Sequence, residues 1–287
     1  MQVIELLAQY PERSFPLAEL TRRLGLSHAT AHALVATLVE QGWVHRSPDR
    51  TISIGPALVG IGMAARRGLR VVDEALPHME ALATELGLEC LAGVVAGVDI
   101  VVVARTRQRS PFNLGGDVGT RTPLAPPLGA PYIAWSPPGE IDAYLDRAEP
   151  TLSAAERGRM LRILDAVRRR GYGVALDPTT RHRLQEVAKL LADGDRAGLR
   201  HELAELLRTV AEEEYATVDL DHDFQHDVTA IGAPVFGPDG SVVLVIGLMG
   251  FAHRLSGAQI PPYAERLLAA TAAVTTAVHG RPPTDGS

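Results

Sequence analysis

The chain has 287 residues, 46% of them hydrophobic, and a formal net charge of −6. That length accommodates one large domain or two ordinary ones with a sizeable core. No run reaches about 18 apolar residues, so no membrane span is expected, and the single cysteine, Cys90, excludes an intrachain disulfide.

The charge is unevenly spread. Residues 1–72 hold eight Arg and five acids, a balance of +3, while residues 73–287 hold twenty basic and twenty-nine acidic residues, a balance of −9. The basic character therefore lies at the amino end, but it is modest and does not by itself mark a nucleic-acid binder. The opening MQVIELLAQY carries an acid and no basic stretch. No secretory leader is expected, and a reducing cytoplasm fits the single thiol.

Residues 2–10 read as a short helix with Val3, Ile4, Leu6 and Leu7 inward. Leu17 to Gly42 then gives two helical patterns separated by Gly25-Leu26-Ser27. Leu17, Leu20 and Leu24 form the first apolar face. Ala31, Leu34, Val35, Leu38 and Val39 form the second, at the spacing of one buried stripe. Ser27 is placed to cap the second helix and Gly42 to end it in a left-handed conformation. Two short helices joined by a Gly-containing turn form a helix-turn-helix. Its outward face carries His28, Thr30, His32, Ala33, Thr37 and Glu40. Small and hydrogen-bonding side chains there suit close approach to base edges in a major groove.

Residues 43–46 and 51–54 read as strands around the turn 47–50, a hairpin directly after the recognition helix and hence a wing. Arg46 and Arg50 sit on it, within reach of phosphates, and Arg22 and Arg23 on the preceding helix address the same backbone. With Ser27, His28, Thr30, His32 and Thr37 they complete the expected DNA-contacting set.

Residues 56–70 form a helical stretch. Its Gly60-Ile61-Gly62-Met63-Ala64-Ala65 matches a dinucleotide fingerprint in letters only, because a helical pattern follows where a parallel strand is required. A linker helix that packs closely on another helix, from a second subunit, is the better reading. From Glu89 the chain turns α/β. Strands are expected at 90–95 and 100–104, a third near 112–114, and helices from 128, over 139–147 and over 153–170, the last with the capping box Ser153-Ala154-Ala155-Glu156. Strands at 171–174, 228–236 and 242–248 follow, the last two flanking Gly237-Pro238-Asp239-Gly240. A terminal helix covers 262–279. Between them, 180–214 reads as two polar helices joined at 193–195.

Several motifs point to chemistry and fall short of it. His201-Glu202-Leu203-Ala204-Glu205 lacks the second His of a zinc-protease helix, and no G-x-S-x-G occurs. The run Asp219–Asp227 places His222 and His226 four apart among carboxylates, but reads as a solvated loop more readily than as a zinc site. Cys90 reads as a buried small hydrophobe. No catalysis, metal or cofactor is expected.

The order of features resembles the IclR family of bacterial transcriptional regulators. The resemblance rests on Leu17-Ala18-Glu19-Leu20, Gly25-Leu26-Ser27, Thr30-Ala31-His32 and Leu38-Val39-Glu40-Gln41-Gly42-Trp43-Val44. In the second half it rests on Val118-Gly119-Thr120-Arg121-Thr122-Pro123-Leu124, Arg170-Gly171-Tyr172-Gly173, and Ile231-Gly232-Ala233-Pro234-Val235-Phe236 with Gly240. It implies an α+β protein: a winged helix-turn-helix at 1–55, a linker helix at 56–72, and a GAF-like α/β effector-binding domain at 73–280. The helical insertion at about 180–214 interrupts that domain, and a disordered tail closes the chain at 281–287.

The same resemblance implies a homodimer or homotetramer that binds a double-stranded, dyad-symmetric operator and answers to a small organic acid, in many members as a repressor. By analogy, Gly119, Thr120, Thr122, Leu124, Leu128, Asp219, Ala233 and Met249 are expected to line the effector pocket, Thr and backbone amides holding the polar group between apolar walls. Three positions depart from the family pattern. Ala33 stands where Arg is frequent, Gly129-Ala130 after Pro126-Pro127 stands where Gly-Lys is common, and Ala230 stands where Cys is frequent. The alternative reading is a metabolite-binding or enzymatic α/β module whose winged helix serves only protein association.

Overall fold

The computed structural model describes residues 2–10, 12–106, 116–176, 180, 183, 187, 197–218, 220 and 223–283. The expected third strand at 112–114, the junction at 193–195, and Asp219 and His222 lie outside them. The chain divides into two units, residues 1–69 and 70–287.

The first unit runs α1 (Gln2–Gln9), β1 (Phe15–Pro16), α2 (Leu17–Leu24), α3 (His28–Glu40), β2 (Val44–Arg46), β3 (Thr51–Ile54) and α4 (Ala57–Gly68). Local chemistry sets these boundaries. Gly25, at φ 62, closes α2. Ser27 Oγ accepts from the Thr30 amide at 3.1 Å and starts α3. At the other end of α3, the Trp43 amide returns to the Leu38 carbonyl at 2.9 Å and the Gly42 amide to Val39 at 3.0 Å. Gly42 itself is left-handed, at φ 68. That pair of bonds is a Schellman ending, which satisfies carbonyls the helix leaves open.

β1 and β2 flank β3 in a three-stranded antiparallel sheet. The core gathers Leu7, Phe15, Leu20, Val35, Val44 and Ile52. Two residues of the expected α3 stripe, Leu34 and Val39, are instead exposed, while Ala31 and Val35 are buried. Only a narrow strip of α3 meets this small core. α4 is helical through Gly60–Ala65, which excludes a phosphate-binding turn there, and it buries none of its residues. Val59, Ile61 and Met63 are exposed on it.

The second unit begins with α5 (Arg70–Leu86), β4 (Glu89–Ala96), β5 (Asp99–Arg105) and β6 (Arg121–Pro123). It continues through α6 (Ala130–Ile133), α7 (Pro138–Leu145), α8 (Ala154–Arg170), β7 (Gly173–Leu176) and α9 (Ala197–Ala216). It ends with β8 (Gln225–His226), β9 (Val228–Phe236), β10 (Val242–Met249), β11 (Leu255–Ser256) and α10 (Ile260–Ala277). Six strands make one antiparallel sheet in the order β6-β5-β4-β10-β9-β7.

Cross-strand pairing assigns each residue of this sheet to a face, because paired residues point the same way. Ala104, Ala92, Ile246 and Ala233 form one row, Cys90, Leu248 and Ile231 the next. All seven are buried. α5 and α10 pack on each other and on β4, β9 and β10 at this face. The other face is met by α6: Pro131 lies over Gly173 and Gly232, and the Tyr132 hydroxyl over Gly93. Beyond α6, α7 and α8 close a second core of Leu124, Ile133, Tyr144, Met160 and Ile163. α8 opens on the expected capping box and closes at Gly171, φ 81. The Ser153 hydroxyl and amide both donate to Glu156, which holds that carboxyl below its ordinary range.

Candidate nucleic-acid interface and effector face

In the first unit, His28, Thr30, His32 and Thr37 are all exposed on α3. Thr30 and Ser27 hold each other, hydroxyl to hydroxyl, at 2.8 Å, and Thr37 Oγ1 donates to the Ala33 carbonyl at 3.1 Å. His28 and His32 are thus two exposed imidazoles one turn apart on α3, and the exposed Ala33 beside His32 adds no polar group.

The hairpin tip is pinned by Asp49, which accepts from the Thr51 amide at 3.2 Å and from the Thr51 hydroxyl at 2.9 Å. Those bonds lower the Asp49 pKa. Arg50 takes a positive φ of 65 at the turn, and Arg46 and Arg50 are both exposed. Gly55 closes the hairpin against the end of α3. A Cβ there would meet the Gly42 carbonyl oxygen at 2.2 Å, so only glycine fits.

The arginines of α2 separate. Arg22 is exposed. Arg23 is 8% exposed and pairs with Glu19 at 2.8 Å. Its guanidinium stands 5.3 Å from the Phe15 ring centroid, and Arg13 covers the same ring at 4.5 Å. Arg23 is thus held within the unit, against Glu19 and the aromatic core, where Arg22 is not.

In the second unit, the pairing splits the expected pocket residues. Met249 pairs with Glu89 and Ala230 on the face shared with α6. Thr122 pairs with Ile100, whose Cγ2 approaches Gly93 from that same side. Gly119 and Thr120 join the sheet edge, the Gly119 amide donating to the Val102 carbonyl at 2.8 Å and the Val102 amide to the Thr120 carbonyl at 3.0 Å. Ala233 belongs to the opposite, helix-packed face. An alternation of two along β9 puts it there, one residue out of step with Gly232. Leu124 is buried in the α6–α7–α8 core. Its carbonyl accepts from Arg147 Nε at 2.8 Å, while Leu128 offers its carbonyl to the Tyr144 hydroxyl at 3.0 Å. Leu124 and Ala233 are both buried residues of this unit's core.

Three charged side chains stand where sequence reasoning placed none. Glu89 and Arg105, both almost fully buried, form an ion pair, Arg105 Nε to Glu89 Oε1. Arg105 Nη1 also donates to the Gly116 carbonyl and to Asp117 Oδ1, each at 3.0 Å. For Glu89 and Arg105 the signal was present in the strand limits: opposite charges at the two outer ends of one hairpin.

The chain matches two family models. The IclR helix-turn-helix domain covers residues 1–48, and the bacterial transcriptional regulator IclR C-terminal model covers residues 63–182. The chain belongs to the IclR family of bacterial transcriptional regulators. The HTH-type transcriptional regulator TsaQ1/TsaQ2 of Comamonas testosteroni is 30% identical over 166 residues, 55% of this chain and 59% of that protein. The match thus spans under two thirds of that relative's length. The regulator KipR of Bacillus subtilis (strain 168) is 24% identical over 268 residues, 93% of this chain and 90% of its own.

Among solved structures, an IclR transcriptional regulator from Alicyclobacillus acidocaldarius superposes with a TM-score of 0.66 at 19% identity, covering 97% of this chain and 96% of its own. An IclR homolog from Microbacterium hydrocarbonoxydans, complexed with 4-hydroxybenzoate, superposes with a TM-score of 0.62 at 16% identity, covering 97% and 99%. These likenesses establish the shared fold: an N-terminal helix-turn-helix and a C-terminal α/β domain built on one sheet.

Within this IclR chain, the described residues hold no cluster of three or more metal-ligating side chains. His226 is buried on β8 with the Phe224 ring 5.2 Å away, centroid to centroid. Cys90 is buried, and burial, with Glu80 and Glu89 nearby, pushes its thiol up to about 12. It has no thiolate character to offer near neutral pH. No helix among the described residues is long and apolar enough to cross a membrane.

Proposed function

We propose that this IclR-family protein is a ligand-responsive, DNA-binding transcriptional regulator, most simply a repressor, that docks as a dimer or tetramer on a dyad-symmetric operator. One observation carries the reading. α3 exposes His28, Thr30 and His32, and the adjoining hairpin exposes Arg46 and Arg50. A helix with short polar groups at its N-terminal end reads base edges, while cations on the flanking elements hold phosphates. The exposed Val59, Ile61 and Met63 of α4 support self-association, since a helix with no buried residue of its own needs a partner for its apolar side. The face of the second unit left partly open by α6 is the effector side. An effector acts by binding the two DNA affinity states unequally.

A mobility-shift titration with the upstream region of the protein's own gene tests this. A salt-sensitive specific complex is expected at low-micromolar protein or below, and Arg22→Ala, Arg46→Ala and Arg50→Ala are each expected to lower the log–log salt slope by about 1. Absence of any salt-sensitive complex rejects the reading. The exposed Leu34, Val39 and Trp43 favour the second reading, a winged helix that mediates protein contacts. Unchanged DNA affinity in all three arginine variants supports that alternative.

A further inference from the structure

A helix that reads a major groove by paired hydrogen bonds uses long side chains: Arg or Lys on guanine, Asn or Gln on adenine. From His28 to Glu40, α3 carries none of these four residue types. Its polar side chains are His28, Thr30, His32, Thr37 and Glu40, and Glu40, its last residue, is its one carboxylate. Burial fixes how the helix is turned. Ala31 and Val35 are buried and Leu38 is half-buried, so these define the side that meets the core. At about 3.6 residues per turn, Ala29, Ala33 and Ala36 stand on the opposite side. All three are exposed. Thr30 and Thr37 border that line on one side and His32 on the other.

Both threonine hydroxyls are engaged within the helix and its cap. Thr37 Oγ1 donates to the Ala33 carbonyl at 3.1 Å. A hydroxyl has one proton, so Thr37 keeps no donor for a base. Thr30 Oγ1 stands 2.8 Å from Ser27 Oγ, the residue that caps α3. The other branch of each threonine is a methyl group, and the three alanines add three more. Arg22, Arg46 and Arg50 are exposed on the flanking elements. Contacts from such cations to phosphates set position and carry no sequence information. Sequence must then be read by a helix whose outward side is mostly methyl. The one apolar group that base pairs present in a major groove is the thymine C5 methyl.

We propose that α3 reads its operator chiefly through thymine methyl groups, met by Ala29, Ala33, Ala36 and the methyl of Thr37, with His28 and His32 hydrogen-bonding at the margin of that contact. The proposal rests on the regulator reading above and adds the base chemistry of the operator. Ala29 and Ala33 lie about 6 Å apart along the helix axis, against about 3.4 Å per base step, so the thymines they meet fall about two base pairs apart in each half-site. A 5-methylcytosine presents the same methyl at the same place. The surface therefore also answers to cytosine methylation at those positions.

The test selects binding sites for the whole chain from a random duplex pool, then remakes the enriched sites with uracil in place of thymine. Uracil lacks the methyl and keeps the hydrogen-bonding groups. Affinity is read by fluorescence anisotropy at fixed salt. Each thymine that α3 reads is expected to lose about fourfold on becoming uracil, the value of one buried methyl group. Uracil outside the half-sites is expected to change nothing. At the same positions 5-methylcytosine is expected to bind about fourfold more tightly than cytosine. Thr37→Ser keeps the hydroxyl and deletes the methyl, and is expected to weaken binding about fourfold with loss of the response to one thymine methyl. Thr37→Val keeps the methyl and deletes the hydroxyl, and is expected to bind as wild type does. Ala33→Arg, which suits an exposed helical position, is expected to exchange a thymine for a guanine in a repeated selection. Enriched sites bound equally well with uracil overturn this proposal alone. So does the reverse order at Thr37, with serine binding as wild type and valine weakened, because the hydroxyl is then the reader. A pool that never becomes sequence-enriched overturns the regulator reading and this proposal with it.

Discussion

On one face of the six-stranded sheet, Cys90, Ala92, Ile231, Ala233, Ile246 and Leu248 are fully buried at α5 and α10. On the other face, the residues one step along the same strands are Leu91, Gly93, Gly232, Gly247 and Met249, with Arg105 and Glu89 beside them. The strands are identical and the environments are opposite. The first face gives stability, since its aliphatic side chains are removed from water where α5 and α10 pack on the sheet. The second gives up packing area to glycine and admits a buried ion pair, which is weak evidence for stability and better evidence for specificity. Function in this unit is thus written in what the second face lacks.

The sharpest way to break that contrast is to damage the packed face. Ile246→Ala removes a fully buried side chain from the centre of the sheet. It is expected to cost about 2–5 kcal/mol, the range for buried aliphatic truncations whose cavity does not collapse. Urea unfolding followed by far-ultraviolet circular dichroism measures it. A loss under about 1 kcal/mol would mean that this face is no better packed than the other.

The two units were not equally legible. In the first, nearly every local signal had a local cause: Ser27 caps α3, Gly42 ends it, Phe15 pairs with Ile52 across the small sheet. The exceptions were residues whose fate is set by tertiary partners. Arg23 looks like a surface cation in sequence, and only the fold reveals Glu19 and the Phe15 ring around it. Leu34 fits the helical stripe by spacing, yet the core is too small to reach it. In the second unit the strands and the α8 capping box were readable, but the face of each strand residue was not. Ala233 and Gly232 differ by one step, and a period of two turns that step into opposite sides of the sheet. Glu89 and Arg105 stand at the open end of one hairpin, but Asp117 comes from beyond it, so no spacing rule could join it to them.

A middle-sized effect separates the covered part of the second face from its open part. At Gly173 a Cβ would meet Pro131 Cγ at 2.7 Å, Pro131 Cδ at 3.3 Å and Val167 Cγ2 at 3.6 Å. A proline ring has no flexible end to swing away. Gly173→Ala must therefore push α6 off the sheet, at a cost of about 1–3 kcal/mol. The same unfolding experiment checks it, and amide shifts in residues 130–135 report the displaced helix. Loss of stability without those shifts would place the strain elsewhere.

The smallest effect on stability is expected at Gly247, in the same row. Its Cβ would find only the Ile231 carbonyl oxygen, at 3.9 Å, an ordinary contact. Alanine also loses less backbone entropy than glycine on entering a strand, a gain of about 0.5–1 kcal/mol. Gly247→Ala is therefore expected to leave the melting temperature unchanged or to raise it by about 1–4 °C. If the bare strip at Gly247 is where an effector lies, the same methyl group occupies that effector's space, and effector binding weakens even as the fold gains. Stability and binding then move in opposite directions from one added carbon, an outcome that a purely structural glycine does not produce. Should Gly247→Ala cost as much as Gly173→Ala, the open part of the face is as tightly covered as the rest and has no room for a ligand.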